Sequence, residues 1–217
     1  MERIAAALGL AYVALFASLL AFTTDGPDPT LPPAEEMARA VSESGAMRAS
    51  ALLGFAASLA FAGFAACLAL ILVRRGETVA AVLTAVAGAV AGATAATSFA
   101  ALIVAVEAAD RDLGAGVFAS FGDLHTAALL LELPAVGVVL LMAWRAGLGR
   151  IVSWMGIVVG IGCVVAAGAV MSEDFDHGPL GIAIFIWFVG LPLWLIATST
   201  VLIRRGAQPA ARPALEP

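Results

Sequence analysis

Six long apolar runs leave this chain few ways to fold. They cover 4–22, 51–73, 79–106, 123–143, 151–171 and 180–203. Each approaches the ~20 residues a helix needs to cross a hydrocarbon core ~30 Å thick. Of the 217 residues, 62% are hydrophobic and 12% charged, whereas a soluble domain carries ~25% charged residues. One soluble core of this size cannot bury all the runs, so lipid must cover them. The expected fold is all-α: a polytopic membrane protein with one six-helix transmembrane domain over 1–205. A tail over 206–217, rich in Ala and Pro, is expected to be disordered. The first run is longer than the 7–15 apolar residues of a signal peptide, and it reads as an uncleaved span.

Arginine placement orients the runs, because basic residues beside span ends stay cytoplasmic. A weaving chain brings Arg3, Arg74, Arg75, Arg145, Arg150, Arg204 and Arg205 to one side. Both termini are therefore expected inside. Most carboxylates fall on the other side, among them Glu35, Glu36, Glu43, Glu107, Asp110, Asp112 and Asp123. An acidic exterior argues against nucleic acid as a partner, since phosphate binding needs basic clusters. Trp144 and Trp154 flank an inner loop where an aromatic belt belongs. Cys67 and Cys163 both lie within spans and are expected to be free thiols.

The longest outer segment, 23–50, begins with a proline-rich stretch. It continues at Ala34–Met47 with Glu35 and Glu36 in a first turn and Met37, Ala38 and Val41 at helical spacing. This predicts a short amphipathic helix on the outer surface, with Pro33 at its first position. The segment 107–122, with Gly114, Gly116 and Gly122, reads as a second outer connection, and Ser172–Pro179 as a third.

Without a hydrophobic drive between helices in lipid, small residues mark close packing. Thr84, Gly88, Gly92, Ala96 and Ala100 recur at spacing four, as do Gly54, Ser58, Ala62 and Ala66. Gly156 and Gly160 mark the fifth run. The second, third and fifth spans are thus expected at the centre, although the same stripes would also serve a homodimer. Pro134 and Pro192 sit inside the fourth and sixth spans, where proline removes a helix hydrogen bond and favours a kink.

Glu132 stands out among the span residues. It lies nine residues beyond Asp123, or ~13 Å into the span at 1.5 Å per residue. A charge at that depth costs several kcal/mol, so a protonatable group there should face the bundle interior. Tyr12, Thr94, Thr97, Ser98 and Ser58 are polar partners at similar depth. Tyr12 and Thr94 are taken with Glu132 as a candidate proton or ligand site. Two readings follow: a relay or ligand-binding acid, and a structural acid that steadies the kink at Pro134.

His125, His177 and Asp123 offer mixed nitrogen and oxygen ligands on the outer side. They lack metal-motif spacing, with neither HExxH nor CxxC present, so no metal and no cofactor is expected. Trp187 and Trp194 with Phe185 and Phe188 make the last span aromatic, which fits packing and lipid contact. No G-x-S-x-G, Walker A or dinucleotide fingerprint occurs, and Gly-Ile-Gly at 160–162 lies inside a span and reads as packing.

The layout has a basic start, one span, a proline-rich outer loop with a small helix, and five further spans. It carries Trp-Met-Gly at 154–156 and ends Leu-Trp-Leu-Ile-Ala-Thr-Ser-Thr-Val-Leu-Ile-Arg-Arg over 193–205. Over residues 3–205 it resembles the small six-helix bacterial membrane families known only as domains of unknown function. That resemblance implies a bundle in the bacterial plasma membrane and supplies no catalytic residue. Two function classes follow. In the first, favoured by the sequence, a non-enzymatic protein acts by association, as a subunit, sensor or accessory factor. Its partners are the lipid bilayer and either a second copy or another membrane protein. In the second, a transporter or permease for a small solute uses Glu132. That class requires a water-accessible cavity reaching the carboxyl.

Overall fold

The computed structural model describes residues 1–22, 32–168 and 179–207. Seven helices account for nearly all of them: α1 Glu2–Phe22, α2 Pro33–Ser42, α3 Ser44–Arg74, α4 Thr78–Asp110, α5 Ala115–Ala143, α6 Arg150–Ala166 and α7 Pro179–Gly206. A 3-10 turn, Trp144–Ala146, follows α5. Among the described residues there is no strand. Five helices are long and apolar enough to cross a membrane, and α6 is a shorter apolar helix of 17 residues. Large apolar side chains cover the outside, among them Val82, Val86, Ile151, Val158, Ile161 and Leu193, each more than half exposed. A surface of this kind is stable only against hydrocarbon. The chain is a multi-pass membrane protein.

The long helices form a closed ring in the order α1, α3, α4, α5, α6, α7 and back to α1. Every neighbour pair runs antiparallel. Gly9 faces Ser199, Gly63 faces Leu8, Gly92 faces Ala62, and Gly137 faces Gly160. Successive connections therefore alternate between two ends of the bundle. The arginine-rich end is tied together by Arg205, which donates to the carbonyl of Ala146 at 3.2 Å and to that of Gly147. There Arg145 pairs with Glu77 at 3.6 Å and lies 4.1 Å over the Trp144 ring. At the acidic end Arg48 bridges α3 to Glu107 at 2.7 Å and to Asp110 on α4. Such half-exposed pairs contribute at most ~1 kcal/mol each.

Several sequence expectations need correction. The amphipathic helix ends at Ser42 rather than Met47, because Glu43 leaves helical geometry and the chain restarts at Ser44 as part of α3. The connection 107–122 shrinks to four residues, 111–114, between Asp110 and Ala115. With 31 and 33 residues, α3 and α4 reach ~46–50 Å at 1.5 Å per residue, well beyond a ~30 Å core. Hydropathy registers where hydrocarbon stops, whereas a helix continues into water until something breaks it. Here Asp112 (φ 52°) and Gly114 (φ 99°) break it.

The expected centre of spans two, three and five is also revised. The fifth span, α6, packs between α5 and α7, and α5 takes its place against α4. Gly156 packs against the Leu140 carbonyl and Trp194, and a Cβ at Gly160 would stand 3.0 Å from the Gly137 carbonyl. Gly88 and Gly92 face Ala65 and Ala62 of α3, and Phe99 lies over Gly54. Ala96 is half-buried and Ala100 exposed. Four residues advance a helix ~40° past a full turn, so a strict spacing of four rotates off the contact. The tail beyond Ala207, the connection at 172–178 and the proline-rich stretch 23–31 lie outside the described residues.

Candidate functional site

The two halves of the ring are filled differently. Toward the arginine-rich end large side chains close the interior. Phe64 and Trp194 meet edge to face at 5.8 Å, with Leu68, Leu72, Leu140, Leu195 and Leu202 sealed around them. The Trp194 indole N–H donates to the Val152 carbonyl at 3.1 Å, locking α7 to α6. Toward the acidic end the interior holds a cavity of about 250 Å³.

Its walls follow helical faces. α5 contributes His125, Leu129 and Glu132; α1 contributes Tyr12, Phe16, Leu19 and Leu20; α3 contributes Met47, Ser50, Gly54, Ala57 and Ser58. These spacings of three and four are the residues of one helix side. Phe22 of α1, Phe99 and Leu102 of α4, and Trp187 and Phe188 of α7 complete the wall. The residues farthest from the acidic end are Tyr12, Ser58 and Glu132, which make the floor. From His125 to Glu132 the floor lies ~10 Å deeper, seven residues along the helix.

Glu132 retains 7% of its surface and Tyr12 6%. Both line the cavity rather than the lipid face. Tyr12 and Cys163 of α6 lie within electrostatic reach of the Glu132 carboxyl. Ser58 on the same floor spends its hydroxyl proton on the Gly54 carbonyl at 2.8 Å. Thr94 stands apart. Its hydroxyl is bonded to Val90 and Ala91 carbonyls of its own helix at 2.9 and 3.1 Å, and it does not line the cavity. Thr97 likewise donates to the Ala93 carbonyl. In a helix, a short hydroxyl finds the preceding turn before it finds a neighbour.

α5 and α7 run through Pro134 and Pro192 without a break. Each proline lacks the N–H that would bond the carbonyl four residues earlier, which frees those of Leu130 and Phe188. Phe188 is a cavity residue and Leu130 packs on the core beside it.

Aromatic rings line two sides. Tyr12 stacks on Phe16 at 5.8 Å, Phe16 meets Phe188 at 5.3 Å, and Phe188 meets Trp187 at 6.2 Å. This arc crosses from α1 to α7. Across from it Phe99 and His125 lie 5.9 Å apart. Sequence reasoning assigned Phe188 and Trp187 to packing and passed over Phe16 and Phe99. The one signal in the sequence was Tyr12 and Phe16 at spacing four.

His125 is held by Ser98, whose carbonyl lies 2.9 Å from Nδ1 and whose hydroxyl donates to the His125 carbonyl at 2.8 Å. With Nδ1 donating, the neutral ring keeps a lone pair on Nε2. Ser98 and His125 have the composition of a nucleophile–base pair. Ser98 is fully buried and off the cavity wall, so its hydroxyl is closed to a solute. Asp123 is exposed at the rim, and His177 lies outside the described residues. Among the described residues no group of three His, Cys, Asp or Glu converges as a metal site. Cys67 and Cys163 are free and buried.

Comparison with protein-family models, with curated proteins and with solved structures finds no match for this chain. The functional reading rests on the cavity alone.

Proposed function

We propose that this is a six-span bacterial plasma-membrane protein, with both termini cytoplasmic, that admits a small solute from the outer side to Glu132 as a transporter or permease. The cavity reaching Glu132 carries this reading. At about 250 Å³ it is smaller than a drug-sized pocket, which runs from roughly 300 Å³, but it is mostly apolar and converges on a few polar groups, the usual make-up of a ligand pocket. An ionisable side chain at this depth in a span is by default a functional group. The two prolines leave the Leu130 and Phe188 carbonyls without their helix hydrogen bonds, which makes α5 and α7 the helices most able to bend.

The sixth crossing rests on α6. It lies antiparallel between two spanning helices and its 17 described residues cover ~25 Å at 1.5 Å per residue. Cytoplasmic termini rest on the arginines gathered at one end. Action by association, as a subunit, sensor or accessory factor, is less well supported. The Gly88 and Gly92 face is engaged with α3, and α2 spends Ala40 on Ala105, Ala109 and Phe118 of α4 and α5.

The experiment is thiol accessibility at the floor. A Ser58→Cys variant, with Cys67→Ala and native Cys163 kept as the sealed control, is treated in membranes with neutral methyl methanethiosulfonate. Peptide masses are then read. The Ser58→Cys thiol should react at least tenfold faster than Cys163. Equal, slow reaction at both positions would mean that the cavity is closed to solutes and would end the transport reading.

A further inference from the structure

The walls of the cavity specify the class of solute, given the reading of the cavity as a solute site. The floor presents one carboxyl group, Glu132, and among the described residues no cationic side chain lines the cavity. The arc Tyr12–Phe16–Phe188–Trp187 and the opposite pair Phe99–His125 present ring faces and edges around the space above it. The Trp187 indole N–H is buried with no partner among the described residues; as a donor it cannot pair with a cation, so toward a cation this residue offers its ring. Aromatic faces attract cations through their quadrupole, by ~0.5–2 kcal/mol each depending on desolvation. A buried carboxylate needs a counter-charge, because leaving it unpaired in a low dielectric costs several kcal/mol. The approach is charged the same way. The described residues of the outer end carry Glu35, Glu36, Glu43, Glu107, Asp110, Asp112 and Asp123 against Arg39, Arg48 and Arg111. A mouth with net negative charge concentrates cations and repels anions.

We propose that the cavity binds a small hydrophobic organic cation, an amine or quaternary ammonium, with its charge on the Glu132 carboxylate and its apolar groups against the aromatic arc. A 250 Å³ space holds roughly ten heavy atoms, by scale with a 150 Å³ cavity that takes up benzene. Binding is an exchange. The protonated carboxyl loses its proton to water through the mouth as the cation arrives, and it regains a proton as the cation leaves. One carboxylate cannot serve both at once, so proton and solute compete for the same atoms. Among the described residues the other titratable groups facing Glu132 are Tyr12 from α1, Cys163 from α6 and His125 on α5 itself. The cavity faces of α3, α4 and α7 contribute Ser50, Ser58, Phe99, Leu102, Trp187 and Phe188, none of which titrates in the physiological range.

Two probes of the same shape separate charge from size: phenyltrimethylammonium and its neutral isostere tert-butylbenzene, each of roughly ten heavy atoms, matching the space scaled above. Binding to the full chain in nanodiscs is measured by equilibrium dialysis, with empty nanodiscs subtracted. The cation should bind at least tenfold more tightly than the isostere. Its affinity should fall as pH is lowered while that of the isostere stays constant. Glu132→Gln should bring the cation down to the level of the isostere and leave the isostere unchanged. Phe188→Leu should weaken the cation more than the isostere, which keeps the test open if the Gln variant does not fold. Equal affinity of the two probes for the wild type would overturn the cation proposal and leave the solute cavity standing. Binding of neither would remove the solute reading together with this proposal.

Discussion

Replacing Trp194 by alanine tests whether the inner half of the ring is a packed plug. Trp194 is fully buried, meets Phe64 edge to face at 5.8 Å and 88°, and donates to the Val152 carbonyl at 3.1 Å. Gly156 leaves the room for its indole, since a Cβ there would stand 2.8 Å from Nε1. In a soluble protein the loss of a buried tryptophan costs ~3–5 kcal/mol, part transfer and part cavity. In a membrane the transfer part shrinks, because the unfolded reference also keeps the side chain in an apolar medium. The cavity part remains. At ~24 cal/mol per Å³ over roughly 100 Å³ of unfilled space it is ~2.4 kcal/mol. The interhelical hydrogen bond adds ~0.6 kcal/mol, for a total of ~3 kcal/mol. Trp194→Phe keeps most of the ring and should lose ~1 kcal/mol, mainly the hydrogen bond and a small void. Equilibrium unfolding in mixed detergent and SDS micelles, followed by far-UV circular dichroism, measures both. An alanine variant within ~0.5 kcal/mol of wild type would lie inside the range of ordinary surface substitutions and would refute the plug.

A fluorescent protein that matures only in the cytoplasm, fused after Pro217, should fluoresce, and periplasmic alkaline phosphatase at the same place should be inactive. The opposite pair of signals would invert the proposed topology. Gly92→Leu places a branched side chain on a Cβ that would already stand 3.0 Å from the Ala62 Cβ. It should destabilise the bundle by ~1–3 kcal/mol through overpacking, measured in the same SDS titration, whereas Gly116→Ala, with nothing within 4 Å, should cost nothing.

The site was partly legible in the chain. Glu132 could be singled out because an acid inside an apolar run is conspicuous at any register, and its common face with His125 follows from a spacing of seven. Tyr12 was reachable by depth, since helix rise converts residue number into position along the membrane normal. Depth also nominated Thr94, Thr97 and Ser98, and there it failed. Depth says nothing about azimuth, and Thr94 and Thr97 turn to their own backbone while Ser98 turns to His125. The aromatic wall was not legible. Phe16, Phe99, Trp187 and Phe188 come from three helices whose rotations about their axes are set by contacts such as Phe99 over Gly54. In spans that are apolar on every side, no polar face announces which side turns inward.

The same division holds for the whole protein. Composition and run length alone determine an all-helical multi-pass membrane protein, because the backbone must be bonded internally in lipid and apolar runs of ~20 residues fit helices, whereas barrel strands need only ~9–11. The arginine pattern sorts the connections into two groups for a similar reason, since an alternating chain leaves each loop only two places to be. The tertiary structure alone decides the order of the ring, the seat of α6 between α5 and α7, and the split of the interior into a sealed half and a hollow half. Those outcomes depend on which small residue meets which large one across a contact. Packing of that kind is short-ranged, and neither hydropathy nor charge records it along the chain.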